Sequence, residues 1–157
     1  MPMPSSKEPI SVKLSHYEAL KFSAEVGERS VQLNSNEEMG EAFTPMELFL
    51  VALAGCTAMD VQFIVERQRQ KMDRFEVTIS GTRRDQDPRY FESIEIRYSL
   101  AGTGLRRDAV ERAIRLSQEK YCSVRAMVKD TVKLNVTYAI TDGTEPEELY
   151  TYVPSPG

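Results

Sequence analysis

The side chains with the widest chemical reach in this sequence are its two cysteines, Cys56 and Cys122, joined by a single histidine, His16. With so few soft donors, and with neither a CxxC pair nor an HxxxH spacing, the usual zinc patterns fail; no metal and no cofactor is expected. In a reducing compartment two cysteines are structural thiols or a redox pair more often than a permanent disulfide. Cys56 sits in Leu53-Ala-Gly-Cys-Thr-Ala58, surroundings that suit a small buried hydrophobe as well as a reactive thiol. Cys122 falls between two helical segments. The first amides of a helix over 123–130 would favour a thiolate there, with Arg125 within reach. Sequence separation leaves open whether the two sulfurs meet.

Charged helpers are harder to assign. Glu47 precedes Cys56 on one helical run, but at about 100° per residue the two face opposite sides of a regular helix. Its plain role is a first-turn acid favoured by the helix dipole. His16 reads as a surface residue, and Arg83, Arg84 and Arg89 as a solvated face around a turn.

The element that must position Cys56 is the apolar run Thr44–Val65. Thr44 followed by Pro45 is a helix start, a hydroxyl acceptor and then a residue whose φ is already helical. Met46 to Ala54 is apolar nearly all round, the pattern of a helix covered on every side. Glu47, Asp60 and Gln62 interrupt a length that would otherwise suit a bilayer, which argues against a membrane span. The helix is expected to end near Lys71-Met72, where Arg67, Arg69 and Lys71 complement its dipole.

Around that helix, period-two alternation marks strands. Ile10, Val12 and Leu14 begin one; Leu20, Phe22, Ala24 and Val26 continue it; Gly27-Glu28 makes a hairpin turn with glycine first; and Val31 and Leu33 resume. Residues 34–40 read as polar loop. Strands over 75–84 and 90–100 form a hairpin about Asp85-Gln-Asp-Pro88. After Gly102 and Gly104, an amphipathic helix runs from Leu105 towards Tyr121. Ser123 caps a further short helix, and Val132 to Ile140 forms the last strand. The chain therefore reads as α+β, with helices packed against antiparallel sheets and a buried central helix. A flexible tail is expected over 1–8, a single domain over 9–140 and a C-terminal tail over 141–157, where Leu149, Tyr150 and Tyr152 have the means to dock. A helix that is apolar all round needs more cover than one sheet and one helix supply, which points to a homodimer sharing it.

At 157 residues, 41% hydrophobic and 28% charged, the composition is that of a soluble globular protein. The net charge of −4 gives no footprint for nucleic acid or an anionic membrane. The N-terminal residues lack the apolar stretch of a signal peptide, so a cytoplasmic protein is expected.

Two segments, Pro45-Met-Glu-Leu followed by Gly55-Cys-Thr-Ala-Met-Asp-Val61, and Glu119-Lys-Tyr-Cys-Ser-Val124, closely resemble the OsmC/Ohr superfamily of osmotically induced and organic-hydroperoxide-resistance proteins, in a less-characterised OsmC-like branch. The resemblance spans about residues 10–140. It implies an intertwined homodimer with the central helices side by side, and thiol peroxidase chemistry. The cysteine matching Cys56 would attack the peroxide as thiolate, and the one matching Cys122 would condense with the resulting sulfenic acid. A small dithiol or a lipoyl protein would reduce the disulfide. The family's peroxidases place a catalytic glutamate directly after the motif proline, where this chain has Met46, with Glu47 one residue on. They also use an N-terminal arginine to hold the thiolate, for which Arg29 or Arg125 are the candidates here. The expected catalytic set is thus Cys56, Cys122, Glu47, Arg29 and Arg125. The alternative implied by Met46 is a non-peroxidatic protein that binds a small apolar or thiol-reactive ligand in the dimer pocket. A third reading is a structural dimer with inert thiols.

Overall fold

Apolar–polar alternation gives three antiparallel strands, β1 (Lys13–Glu18), β2 (Lys21–Val26) and β3 (Arg29–Asn34), in the order β1-β2-β3. The Gly27-Glu28 turn forms as the spacing predicts: Val26 pairs with Arg29, and Gly27 adopts φ +61°, which its missing Cβ permits. This computed structural model describes residues 9–35, 41–142 and 147–156. The tail expected over 1–8, loop residues 36–40 and part of the C-terminal tail, 143–146, lie outside them.

The long helix α1 spans Pro45–Arg67. It stops short of Lys71 because Arg69 turns left-handed at φ +58°, letting Arg69 N–H reach Glu66 O and Gln70 N–H reach Val65 O. That is a Schellman closure, with arginine in the position glycine usually takes.

After α1 come β4 (Arg74–Arg83) and β5 (Phe91–Ala101), the predicted hairpin. Then follow α2 (Arg107–Leu116), a π-helical turn (Ser117–Tyr121), α3 (Ser123–Val128), β6 (Lys133–Thr141) and β7 (Glu148–Thr151). The second sheet runs β4-β5-β6-β7. β6 lies parallel to β5, where antiparallel pairing alone was expected. The helical segment between them returns the chain to the end where β5 began, and such a crossover makes the next strand parallel. β7 pairs antiparallel with β6, so Leu149 and Tyr150 dock as a fourth strand, and Tyr152 beyond it is buried.

Residues 9–140, read from the sequence as one domain, divide between two compact units, Met1–Phe49 and Leu50–Gly157. In the second, Ile94, Ile96, Tyr98 and Leu100 line one face of β5 and are fully buried with Leu53, Val61 and Val65 of α1 and Val110 and Ile114 of α2. α1 is long and apolar enough to cross a membrane, yet Leu53, Thr57, Val61 and Val65 form a stripe at four-residue spacing that is buried inside the protein. Its Val51, Met59 and Phe63 are exposed, Met59 to 74%. The all-round cover anticipated for this helix is therefore one-sided within a single chain.

Candidate active site

Cys56 and Cys122 meet. Their sulfurs and a carboxylate oxygen of Asp60 all lie within 4.8 Å of one another. Asp60 follows Cys56 by one helical turn, so both project from the same side of α1. Cys122 arrives by a different device. The π-helical turn closes with Cys122 N–H on Ser117 O at 2.9 Å, and the chain leaves it extended at Cys122. Inserting an extra residue into a helical ladder in this way is a recurrent means of re-aiming a functional group.

Cys122, not Ser123, is the N-cap of α3: its sulfur accepts the Arg125 N–H at 3.4 Å. Capping by its backbone amides was expected to favour a thiolate there, but burial wins. Removal from water pushes the Cys122 thiol up to about 12, reinforced by its hydrogen bond with Cys56 and opposed by the Arg125 amide. Cys122 is thus held as a neutral thiol, while Cys56 is half-buried and open to solvent.

A hydrogen-bond chain ends on Asp60. Ser117 Oγ donates to the Asp60 carboxylate at 2.9 Å. Its one proton being used, the 2.8 Å bond between Thr57 and Ser117 must be donated by Thr57. The Thr57–Tyr98 bond is then donated by the Tyr98 hydroxyl, and Gln118 Nε2 donates to the Tyr98 oxygen at 2.8 Å. Every donor from Gln118 onwards points towards Asp60. Burial raises the Asp60 pKa above the ordinary carboxylate value, and the Ser117 bond offsets part of the rise. Burial likewise pushes Tyr98 up to about 12, so it acts as a hydroxyl donor. Two thiols and a carboxylate are also donors that a zinc-type cation could use.

The other candidate residues have their own surroundings. Glu47 closes a capping box: its carboxylate accepts Thr44 N–H at 2.7 Å while Thr44 Oγ1 accepts Glu47 N–H at 3.2 Å. Arg29 opens β3 in the first unit, exposed at the edge of an apolar recess lined by Val12, Leu14, Val31 and Leu48. Arg125 reaches Cys122 through its backbone amide, and its side chain lines a separate cavity. His16 is exposed, bonded to Ala19 O, and Arg83 and Arg84 brace the β4–β5 turn.

In the sequence Asp60 reads as an interruption of an apolar run and as part of the Gly55–Val61 segment, with no role of its own, and none of Thr57, Tyr98 and Gln118 stands out as functional. The four-residue spacing from Cys56 to Asp60 was a usable signal. The contributions of Tyr98 and Gln118 had none, because they depend on the sheet and on the π-helical turn.

The family model described as "OsmC-like protein" matches residues 38–137. Protein YhfA of Escherichia coli strain K12 is 36% identical over 123 residues, 78% of this chain and 92% of that protein. A crystal structure of a hypothetical protein from Aquifex aeolicus VF5 superposes with a TM-score of 0.78 at 31% identity, covering 85% of this chain and 97% of that one. An organic hydroperoxide resistance protein OsmC from Legionella pneumophila shares the fold, with a TM-score of 0.65 at 15% identity over 87% of this chain and 99% of that one.

Proposed function

Because this chain belongs to the OsmC-like family, we propose that it is a thiol-dependent peroxidase that reduces organic hydroperoxides through a two-cysteine cycle. The observation that carries this reading is the convergence of Cys56, Cys122 and Asp60 within 4.8 Å.

In this cycle Cys56, the half-buried thiol, gives its proton to the Asp60 carboxylate, directly or through one water. The thiolate attacks the outer oxygen of the hydroperoxide. A sulfur–oxygen bond forms, the O–O bond breaks, and the alkoxide takes the proton from Asp60 to leave as an alcohol. Cys56 is then a sulfenic acid. Cys122, kept as a thiol by its burial, supplies the second sulfur: the S–S bond forms and the sulfenic oxygen leaves as water. A small dithiol or a lipoyl protein reduces the disulfide, its own sulfurs becoming oxidised. Asp60 thus takes the proton-handling role that the family resemblance reserved for the position of Met46, while Glu47 caps the helix. Arg29 and Arg125 have no step in this scheme.

The working form is a cytoplasmic homodimer. Supporting the dimer are the exposed apolar stripe of Val51, Met59 and Phe63 on α1 and, among the described residues, the absence of any heavy atom beyond the adjacent backbone of α1 itself within 4 Å of a Cβ built on Gly55, which leaves room for a second helix. The net charge of −4 argues against nucleic-acid partners.

Consumption of cumene hydroperoxide with dithiothreitol as reductant is the direct test. Turnover by wild type that is lost in Cys56→Ser supports the cycle; equally slow consumption by both overturns it. The engagement of Glu47 in the capping box favours a second reading, ligand binding without turnover. Negligible consumption together with a retained small molecule in native mass spectrometry would select it.

A further inference from the structure

Behind the Cys122 turn lies a cavity of about 220 Å³, lined by Gln118, Glu119, Arg125, Leu134, Asn135 and Tyr152 among others. Two guanidinium nitrogens of Arg125, Nε and Nη1, are buried without a hydrogen-bond partner among the described residues. Guanidinium does not lose its charge at any ordinary pH, and a buried cationic donor left unpaired is costly. The carboxylate that lines the same cavity is already committed: Glu119 Oε1 accepts the Tyr152 hydroxyl at 2.6 Å and the Ser155 N–H at 2.8 Å. Among the described residues Arg125 forms no ion pair with it.

We propose that this cavity binds a small organic monocarboxylate whose acid group pairs with the Arg125 guanidinium. A carboxylate matches the planar donor fork of arginine and supplies the missing counter-charge. The ionised Glu119 at the same wall cancels part of the Arg125 attraction for any anion, while the cost of withdrawing an anion from water grows with the square of its charge, so a dianion such as phosphate fits less well than a monoanion. The volume exceeds the roughly 150 Å³ that accommodates benzene, so an acid the size of benzoate fits. Leu134, Val136 and Pro154 offer apolar surface to the rest of such a molecule. The site goes beyond the peroxidase reading and stands whether or not the thiols turn over. It is nonetheless linked to them, because Gln118 lines the cavity and also opens the hydrogen-bond chain that runs through Tyr98 and ends on Asp60.

Isothermal titration calorimetry of the full-length protein with benzoate, benzamide and inorganic phosphate tests this without any peroxidase assay. Benzoate is expected to bind saturably, one per chain, with benzamide and phosphate at least about tenfold weaker. Arg125→Gln should weaken benzoate at least about tenfold, and Arg125→Lys should fall between. No saturable benzoate binding, equal binding by Arg125→Gln, or tighter binding of phosphate each overturns the assignment. So does an Arg125→Gln variant that binds benzoate normally but changes its oligomeric state, which would give the guanidinium to a subunit contact. Should that variant fail to fold, the Arg125 Nε–H resonance of the wild type decides: a saturable shift on adding benzoate supports the site, and no shift overturns it.

Discussion

Helix α1 carries two acids on neighbouring stretches of one sequence motif, and the structure puts them to opposite uses. Glu47 is exposed and spends its carboxylate on the helix's own first turn, exchanging hydrogen bonds with Thr44. Asp60 is half-buried, receives a directed chain of hydroxyl donors, and lies beside both sulfurs. A carboxylate in water at a helix start is worth a little stability; a carboxylate withdrawn from water beside thiols has a proton affinity that chemistry can use. Position relative to the fold, more than nearness to the family motif, separates the cap from the candidate acid–base group.

That contrast can be broken experimentally. The largest effect belongs to the thiol both acids were candidates to serve: Cys56→Ser should reduce hydroperoxide consumption by at least about a hundredfold. Next, Asp60→Asn should lower the rate of the peroxide step by about 10²-fold or more and flatten its acid limb, read from pH–rate profiles. Glu47→Gln should leave the rate per folded molecule unchanged, and an equal loss in both variants would erase the distinction. Thr57→Val keeps the shape but removes the hydroxyl that joins Tyr98 to Ser117, at a cost of about 1–3 kcal/mol in chemical denaturation. Smaller still is the cap: Thr44→Ala should cost about 1 kcal/mol, and Glu47→Gln, whose amide oxygen still accepts from Thr44 N–H, less than that, with the activity of the remaining folded protein intact.

The smallest expected effect is a pH dependence of stability. Burial holds Asp60 above its ordinary pKa in the folded chain. Its contribution is therefore fully present below the unfolded value and is lost as pH rises through the folded value. Asp60→Asn, which cannot ionise but can still accept from Ser117, should gain on wild type at neutral pH. Denaturant titrations at several pH values should show the gap closing as pH falls below the usual carboxylate range; a gap that widens towards acid would reverse the sign.

Much of this was legible from local pattern. Alternation marked β1 to β6, and Thr44-Pro45 marked the start of α1. The less legible features came from competition between local signals and packing. Arg69 ended α1 early although the basic residues beyond it read as a continuing last turn. Cys122 took the capping role assigned to Ser123 because the π-helical turn delivered the chain in extended form one residue sooner.

By itself the sequence determined the order of elements, the α+β class, the family and the two cysteines, because periodicity and motif spacing act over a few residues and survive without the fold. Only the tertiary structure decided that β6 runs parallel to β5, that the sulfurs meet, and that Asp60 rather than Glu47 stands beside them. Those outcomes depend on which distant groups share a small volume withdrawn from water, and burial there sets the proton affinities of Asp60 and Cys122 more strongly than any neighbour in the chain.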